Sequence, residues 1–92
     1  MAKTFISKVK SSIYFADMIS RQNDGTIIIR RGYYYGMFDS GENFAISCEK
    51  RLIGDGISAN LVNFGNHYES FKGGKNVKHN SHYWCVFKEI GE

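Results

Sequence analysis

Residues 81–90, SHYWCVFKEI, constrain this chain more than any other segment. Side chains on an extended backbone alternate between two faces. Tyr83, Cys85 and Phe87 therefore share one face, and Trp84, Val86 and Ile90 share the other. A strand apolar on both sides belongs in the middle of a sheet, or in one with both faces covered. The chain must therefore supply further strands to flank this one.

The segment GTIIIRRGYYYGMF supplies the richest candidate, with three Ile, three Tyr and a Phe. DSGEN (39–43) has turn chemistry, and NFAISC alternates Phe44, Ile46 and Cys48 against Ala45 and Ser47. Together these predict an antiparallel hairpin, with Arg51 to Ile53 extending its second strand and Gly54-Asp55-Gly56 breaking it. If residues 26–38 run as one strand, Ile27, Ile29, Arg31, Tyr33, Tyr35 and Met37 share a face. Thr26, Ile28, Arg30, Gly32, Tyr34, Gly36 and Phe38 share the opposite one. The first is the better core apart from Arg31.

On the second face Tyr34 has a glycine two residues away on each side, so no side chain of its own strand covers its ring. That makes a flat aromatic floor with Arg30 at one end. Stacking on such a floor contributes about 1–3 kcal/mol per base and tolerates any base. Arg30 adds a phosphate contact or cation–π packing. The competing reading is structural: glycine beside a strand aromatic marks a bulge, or a gap filled by a ring from the next strand. A bulge at Gly32 would shift the face assignment by one.

The stretch Arg31–Phe38, RGYYYGMF, resembles the ribonucleoprotein motif of RNA-recognition and cold-shock domains: basic, Gly, aromatic, small, aromatic, aliphatic, any, aromatic. Arg31, Gly32, Tyr33, Tyr35 and Phe38 match, with Met37 at the free position. Tyr34 stands where the motif has Gly or Ala, and Gly36 where it has an aliphatic residue. The preceding GTIII and following DSGENFAIS are similar to the cold-shock order of strand, motif, turn, strand. The resemblance covers under a third of the chain. It implies nucleic-acid binding with Tyr33 and Tyr35 as the stacking rings.

Two segments carry helical spacing. In residues 8–22, KVKSSIYFADMISRQ, the apolar positions Val9, Ile13, Ala16 and Ile19 continue from Ile6 in steps of three and four. This predicts a helix closed by Asn23-Asp24-Gly25, with Gly25 at a left-handed C-terminal position. Two short strands are the alternative, since TFISKVK also alternates. In residues 57–72 the stripe Ile57, Leu61, Phe64, Tyr68 and Phe71 predicts a second helix, against the poor propensity of three Asn and Gly65. Gly73-Gly74 ends it. The sum is an α+β fold in a single domain, residues 1–92: an antiparallel sheet of three to five strands with one or two helices packed on one face.

Charge points in the same direction as the tyrosines, but weakly. Twelve Lys and Arg against nine Asp and Glu give +3, too little to imply nucleic acid unaided. The most cationic stretch is FKGGKNVKHNSH (71–82), with Lys72, Lys75 and Lys78 around a Gly-Gly pair. Such a loop can offer backbone N–H groups and cations to phosphate. It is not a nucleotide P-loop, because Asn76 follows Lys75 where Ser or Thr is required.

Metal and enzyme chemistry are poorly supported. His67, His79, His82 and Cys85 lack a paired Cys-x-x-Cys, and their spacing does not suit a strand. No cofactor is expected. A small ribonuclease would use His79 or His82 as general base, with Arg30 and Lys75 stabilising phosphate charge.

MAKTFISKVKSS has no apolar run of signal-peptide length, and no window approaches the roughly 20 apolar residues of a membrane span. A cytoplasmic chain without membrane partners is expected. Its thiols, Cys48 and Cys85, would then be reduced, a Cys48–Cys85 bridge being the alternative.

The functional expectation is a small non-enzymatic binding protein with a Tyr/Arg-rich strand surface for nucleic acid or a nucleotide-like anion. Its candidate residues are Arg30, Arg31, Tyr33, Tyr34, Tyr35, Lys72, Lys75 and Lys78. One alternative is a phage- or mobile-element-type inhibitor of a host protein complex, one that itself handles nucleic acid. The other is the histidine-dependent ribonuclease.

Overall fold

The computed structural model describes residues 4–32, 40–67 and 82–90. In chain order its elements are α1 (Phe5–Ser12), β1 (Met18–Arg21), β2 (Ile27–Gly32), α2 (Gly41–Gly54), β3 (Ala59–His67) and β4 (His82–Glu89). The four strands form one sheet in the order β1-β2-β4-β3, and every neighbouring pair is antiparallel. The fold is α+β, and β4 is an inner strand, as its two-sided apolar pattern requires. Since β2 and β3 both oppose β4, they run parallel to each other. Their connection crosses β4 by way of α2, the crossover that a parallel pair needs.

Both helices lie on one face of the sheet. Val9 and Ile13 from the α1 region and Phe44, Ala45, Cys48 and Leu52 of α2 are buried. They meet Ile27 and Ile29 of β2 and Tyr83, Cys85 and Phe87 of β4 in the same core. Alternation along β2 and β4 is thus as the sequence predicts, with odd-numbered positions turned towards the helices.

Helix α1 begins earlier and ends earlier than residues 8–22. Thr4 caps it, its Oγ1 accepting from the Ser7 N–H at 3.3 Å. The stripe Ile6, Val9, Ile13 is helical, but Ala16 and Ile19 reach the same core from a connecting segment and from β1. Gly25 sits not at a helix end but in the β1–β2 turn, where its φ of +89° needs glycine.

The expected hairpin over 26–53 is replaced by β2 followed by α2. The spacing Phe44, Cys48, Leu52 is four residues each time, which satisfies both a strand's period of two and a helix turn. Ser40 decides it locally: its Oγ accepts from the Asn43 N–H at 3.1 Å, satisfying a first-turn donor. Ile46, which a strand would bury beside Phe44, is left exposed. The cold-shock order of strand, motif, turn, strand is therefore broken at α2.

The expected helix over 57–72 is also overturned, since residues 59–67 are strand β3. The register between β3 and β4 slips at Leu61/Asn63, where one extra residue makes a bulge. Leu61 pairs with Phe87 and Phe64 with Cys85. The bulge thus keeps two residues three apart on one face, a step that alternation forbids and a helix imitates. Residues 68–72 of that stripe lie outside the described residues.

Candidate functional site

The face of the sheet away from both helices carries a groove of ≈ 640 Å³. Ile28 and Arg30 of β2, Val62 and Asn63 of β3, and Trp84 and Val86 of β4 line it among the described residues. Gln22, Asp24 and Thr26 of the β1–β2 turn border one end, and His82 borders the groove as well.

Trp84 and Arg30 are direct cross-strand partners, so their side chains rise from this face together. Gly65 is the partner of Trp84 on the other side, in β3. A Cβ on residue 65 would stand 2.9 Å from Trp84 Cζ2, 3.1 Å from Cε2 and 3.3 Å from Nε1. The indole thus occupies the space above Gly65 that a side chain would fill. Trp84 remains half-buried. Arg30 is half-buried too, and its Nε is shielded from solvent with no hydrogen-bond partner among the described residues. A shielded donor left unmatched costs about 1–3 kcal/mol, and because it is covered it is the rest of the guanidinium that a guest could meet.

Arg31 does not share this site. It faces the helices, 8% exposed, and its Nη1 donates to the Phe15 carbonyl oxygen. This anchors the segment between α1 and β1, where Phe15 also packs edge-on to Phe44 at 6.3 Å. Tyr33, Tyr34 and Tyr35 follow Gly32 directly, and Lys72, Lys75 and Lys78 fall between β3 and β4. All six lie outside the described residues. So does His79. His82 and Cys85 come from opposite faces of β4, with Cys85 in the core beside Cys48.

Both cysteines are free and fully buried. The hydrogen bond between the two thiols, reinforced by burial, pushes the Cys85 thiol well above its ordinary range. At the groove's turn end the Thr26 hydroxyl and then the Thr26 N–H, both donating to the carboxylate, hold Asp24 below the usual carboxylate range.

Trp84 is the site residue missing from the candidates that the sequence nominates. The signal is present in its neighbours: His82, Trp84, Val86 and Lys88 alternate with Tyr83, Cys85 and Phe87. A face that mixes His and Lys with Trp meets solvent or a ligand, while its all-apolar opposite meets the core.

Compared with known proteins, the chain matches no family model, no curated protein and no solved structure. Among the described residues, no helix is long and apolar enough to cross a membrane.

Proposed function

We propose that this protein binds single-stranded nucleic acid, with the sheet face opposite the two described helices as a stacking platform. The observation that carries the reading is the pairing of Trp84 with Arg30 on a face that neither described helix covers. A base laid on the indole gains stacking that is indifferent to its identity, about 1–3 kcal/mol. Its phosphate or an exocyclic oxygen meets the half-buried Arg30 guanidinium, a cationic donor on the same face. Flanking apolar groups, Ile28 and Val86, keep water from the contact. The net charge of +3 assists encounter without dictating sequence. Tyr33–Tyr35 and the Lys72–Lys78 segment are the further contributors that the sequence nominates.

Binding of a labelled single strand, followed by anisotropy, tests this. Affinity should fall with rising salt as phosphate counterions are released. Trp84→Ala should weaken it on the order of tenfold and Trp84→Phe less. No association with any single strand at low salt would remove the proposal.

A second reading, a protein partner, has its own observation on the other side of the molecule. Tyr14 is 75% exposed, and the Arg51 guanidinium lies 5.5 Å from its ring centroid. Tyr and Arg dominate the energetic centres of protein interfaces. A stable complex that survives nuclease treatment and is lost in Tyr14→Ala would favour this reading.

A further inference from the structure

The two edges of the sheet are built differently. β1 is four residues long, Met18–Arg21, with Asp17 just before it and Arg21 at its end. Short edges that carry charge discourage a further strand. β3, at the opposite edge, runs nine residues, Ala59–His67, and no described residue pairs with its outer side. From residue 56 to residue 66 the sequence is GISANLVNFGN, without a charged side chain. Val62, lining the groove, is 53% exposed, and Phe64, on the helix side, is 41% exposed. The β3 edge is thus apolar on both faces and lacks the lysines that guard an open strand. The bulge at Leu61/Asn63 blunts part of it and leaves residues 63–67 in regular register with β4. Within that stretch the Phe64 N–H donates to Asn63 Oδ1 at 2.9 Å, an exposed contact. A backbone carbonyl of an added strand can take the place of such an acceptor.

Charge selects the occupant. The chain carries +3, so two copies repel and approach best where neither presents a charge. The β3 edge is such a place, and set against itself it makes no like-charge pair. Antiparallel pairing of an edge with its own copy is isologous, so one residue lies on the two-fold axis and meets itself. Cross-strand partners share a face. With Phe64 on the axis, its ring meets the partner's Phe64 on the helix side, and Asn63 meets the partner's Gly65 on the groove side. An axis at Gly65 would set Phe64 against the partner's Asn66, whose Oδ1 is already held by the Gly41 N–H.

We infer that two copies of this chain join by antiparallel pairing of their β3 edges, with the two-fold axis at Phe64. The two four-stranded sheets become one. The axis stands perpendicular to the joined sheet, so the two Trp84–Arg30 faces lie on the same side. The inference does not depend on what the groove binds.

Sedimentation velocity of the full chain over a wide concentration range tests this. The wild type should contain dimer, its share rising with concentration. Phe64→Lys and Phe64→Glu each set like charges against one another at the axis, and each alone should weaken dimerisation at least about tenfold. Mixed in equal amounts, the two variants should recover the dimer, because opposite charges then meet across the axis. Far-ultraviolet circular dichroism checks that each is folded. Should either not fold, Val62→Lys, at a more exposed position beside the axis, takes its place and should likewise weaken the dimer. A wild type that stays monomeric at every concentration overturns the inference and leaves the edge to a strand of another protein. So does a dimer that these variants leave unchanged, or one that the mixture of folded Phe64 variants fails to restore.

Discussion

The indole of Trp84 lies over Gly65, so close that a β-carbon at residue 65 would come within 2.9 Å of Cζ2. The atoms concerned belong to a rigid bicyclic ring and not to the end of a flexible chain. A methyl group there must displace the ring. Gly65 and Trp84 are register partners on adjacent strands, and the displacement would be felt on the face opposite the described helices.

Gly65→Ala is therefore predicted to act on the site more than on the fold. The lost ring contact and the entropic gain of Ala over Gly in a strand, about 0.5–1 kcal/mol, oppose each other. The melting temperature should move little. The Trp84 emission maximum should shift towards that of an exposed indole, and single-strand affinity should fall several-fold. An unchanged emission spectrum would show that the ring does not depend on the glycine.

A second close approach joins α2 to β3. The Gly41 N–H, at the start of α2, donates to Asn66 Oδ1 at 2.7 Å. A β-carbon at residue 41 would run into the Gly65 carbonyl and into Asn66 itself. The obstacle includes backbone, which yields less than a side chain. Gly41→Ala should destabilise by about 1–3 kcal/mol, the usual range for overpacking. Asn66→Ala removes only the hydrogen bond and should cost about 1 kcal/mol. Urea denaturation of both variants checks the order, and a Gly41→Ala variant as stable as the wild type would refute it.

These contacts bear on what the amino-acid pattern reveals. β4 is legible because both of its faces are apolar, and β2 because its Ile alternation matches the core side. α2 is hidden by an aliasing: Phe44, Cys48 and Leu52 recur every four residues, compatible with either period, and Ser40 as a cap is a weak mark beside three turn-forming neighbours. β3 is hidden by its bulge, which turns the step from Leu61 to Phe64 into a helical one. Arg30 is placed on the free face by the same parity that puts Arg31 in the core. Trp84 escapes notice because a lone tryptophan is usually structural. Strand parity gives its face, but its place beside Arg30 and over Gly65 comes from the β4 register, and that pairing is long-range.

The end of α1 is tied to the end of α2 by two hydrogen bonds, and an ion pair within the α2 end joins their partners. Ser12 Oγ donates to Asp55 Oδ2 at 2.6 Å, Arg51 Nε donates to the Ser12 carbonyl at 3.1 Å, and Arg51 and Asp55 form an ion pair at 3.2 Å. The ion pair is part-exposed and by itself worth little. Ser12 is 3% exposed, so its hydroxyl is the member whose loss matters. Ser12→Ala should destabilise by about 1–2 kcal/mol, whereas Arg51→Gln should cost less than about 1 kcal/mol. Chemical denaturation in low and high salt separates them: the Arg51 effect should shrink with salt and the Ser12 effect should persist.

Cys85 gives a prediction about alkaline stability. Its thiol shares a hydrogen bond with the Cys48 thiol, and both groups are sealed in the core, so the folded state favours the protonated form of Cys85. In the unfolded chain a cysteine ionises near pH 8.5. The folded-state preference for the neutral thiol is thus fully present below that pH. Above it the unfolded state loses its proton while the folded state keeps it, and stability falls by about 1.4 kcal/mol per pH unit for this group. Unfolding free energy measured from pH 7 to 10 should be level at first and then decline, and Cys85→Ala, though less stable throughout, should decline less steeply. The same burial makes the native thiols slow to alkylate, since the thiolate is the reactive form. Rapid modification of Cys85 at pH 8 in the absence of denaturant would contradict the sealed pair, as would a wild-type slope no steeper than that of the variant.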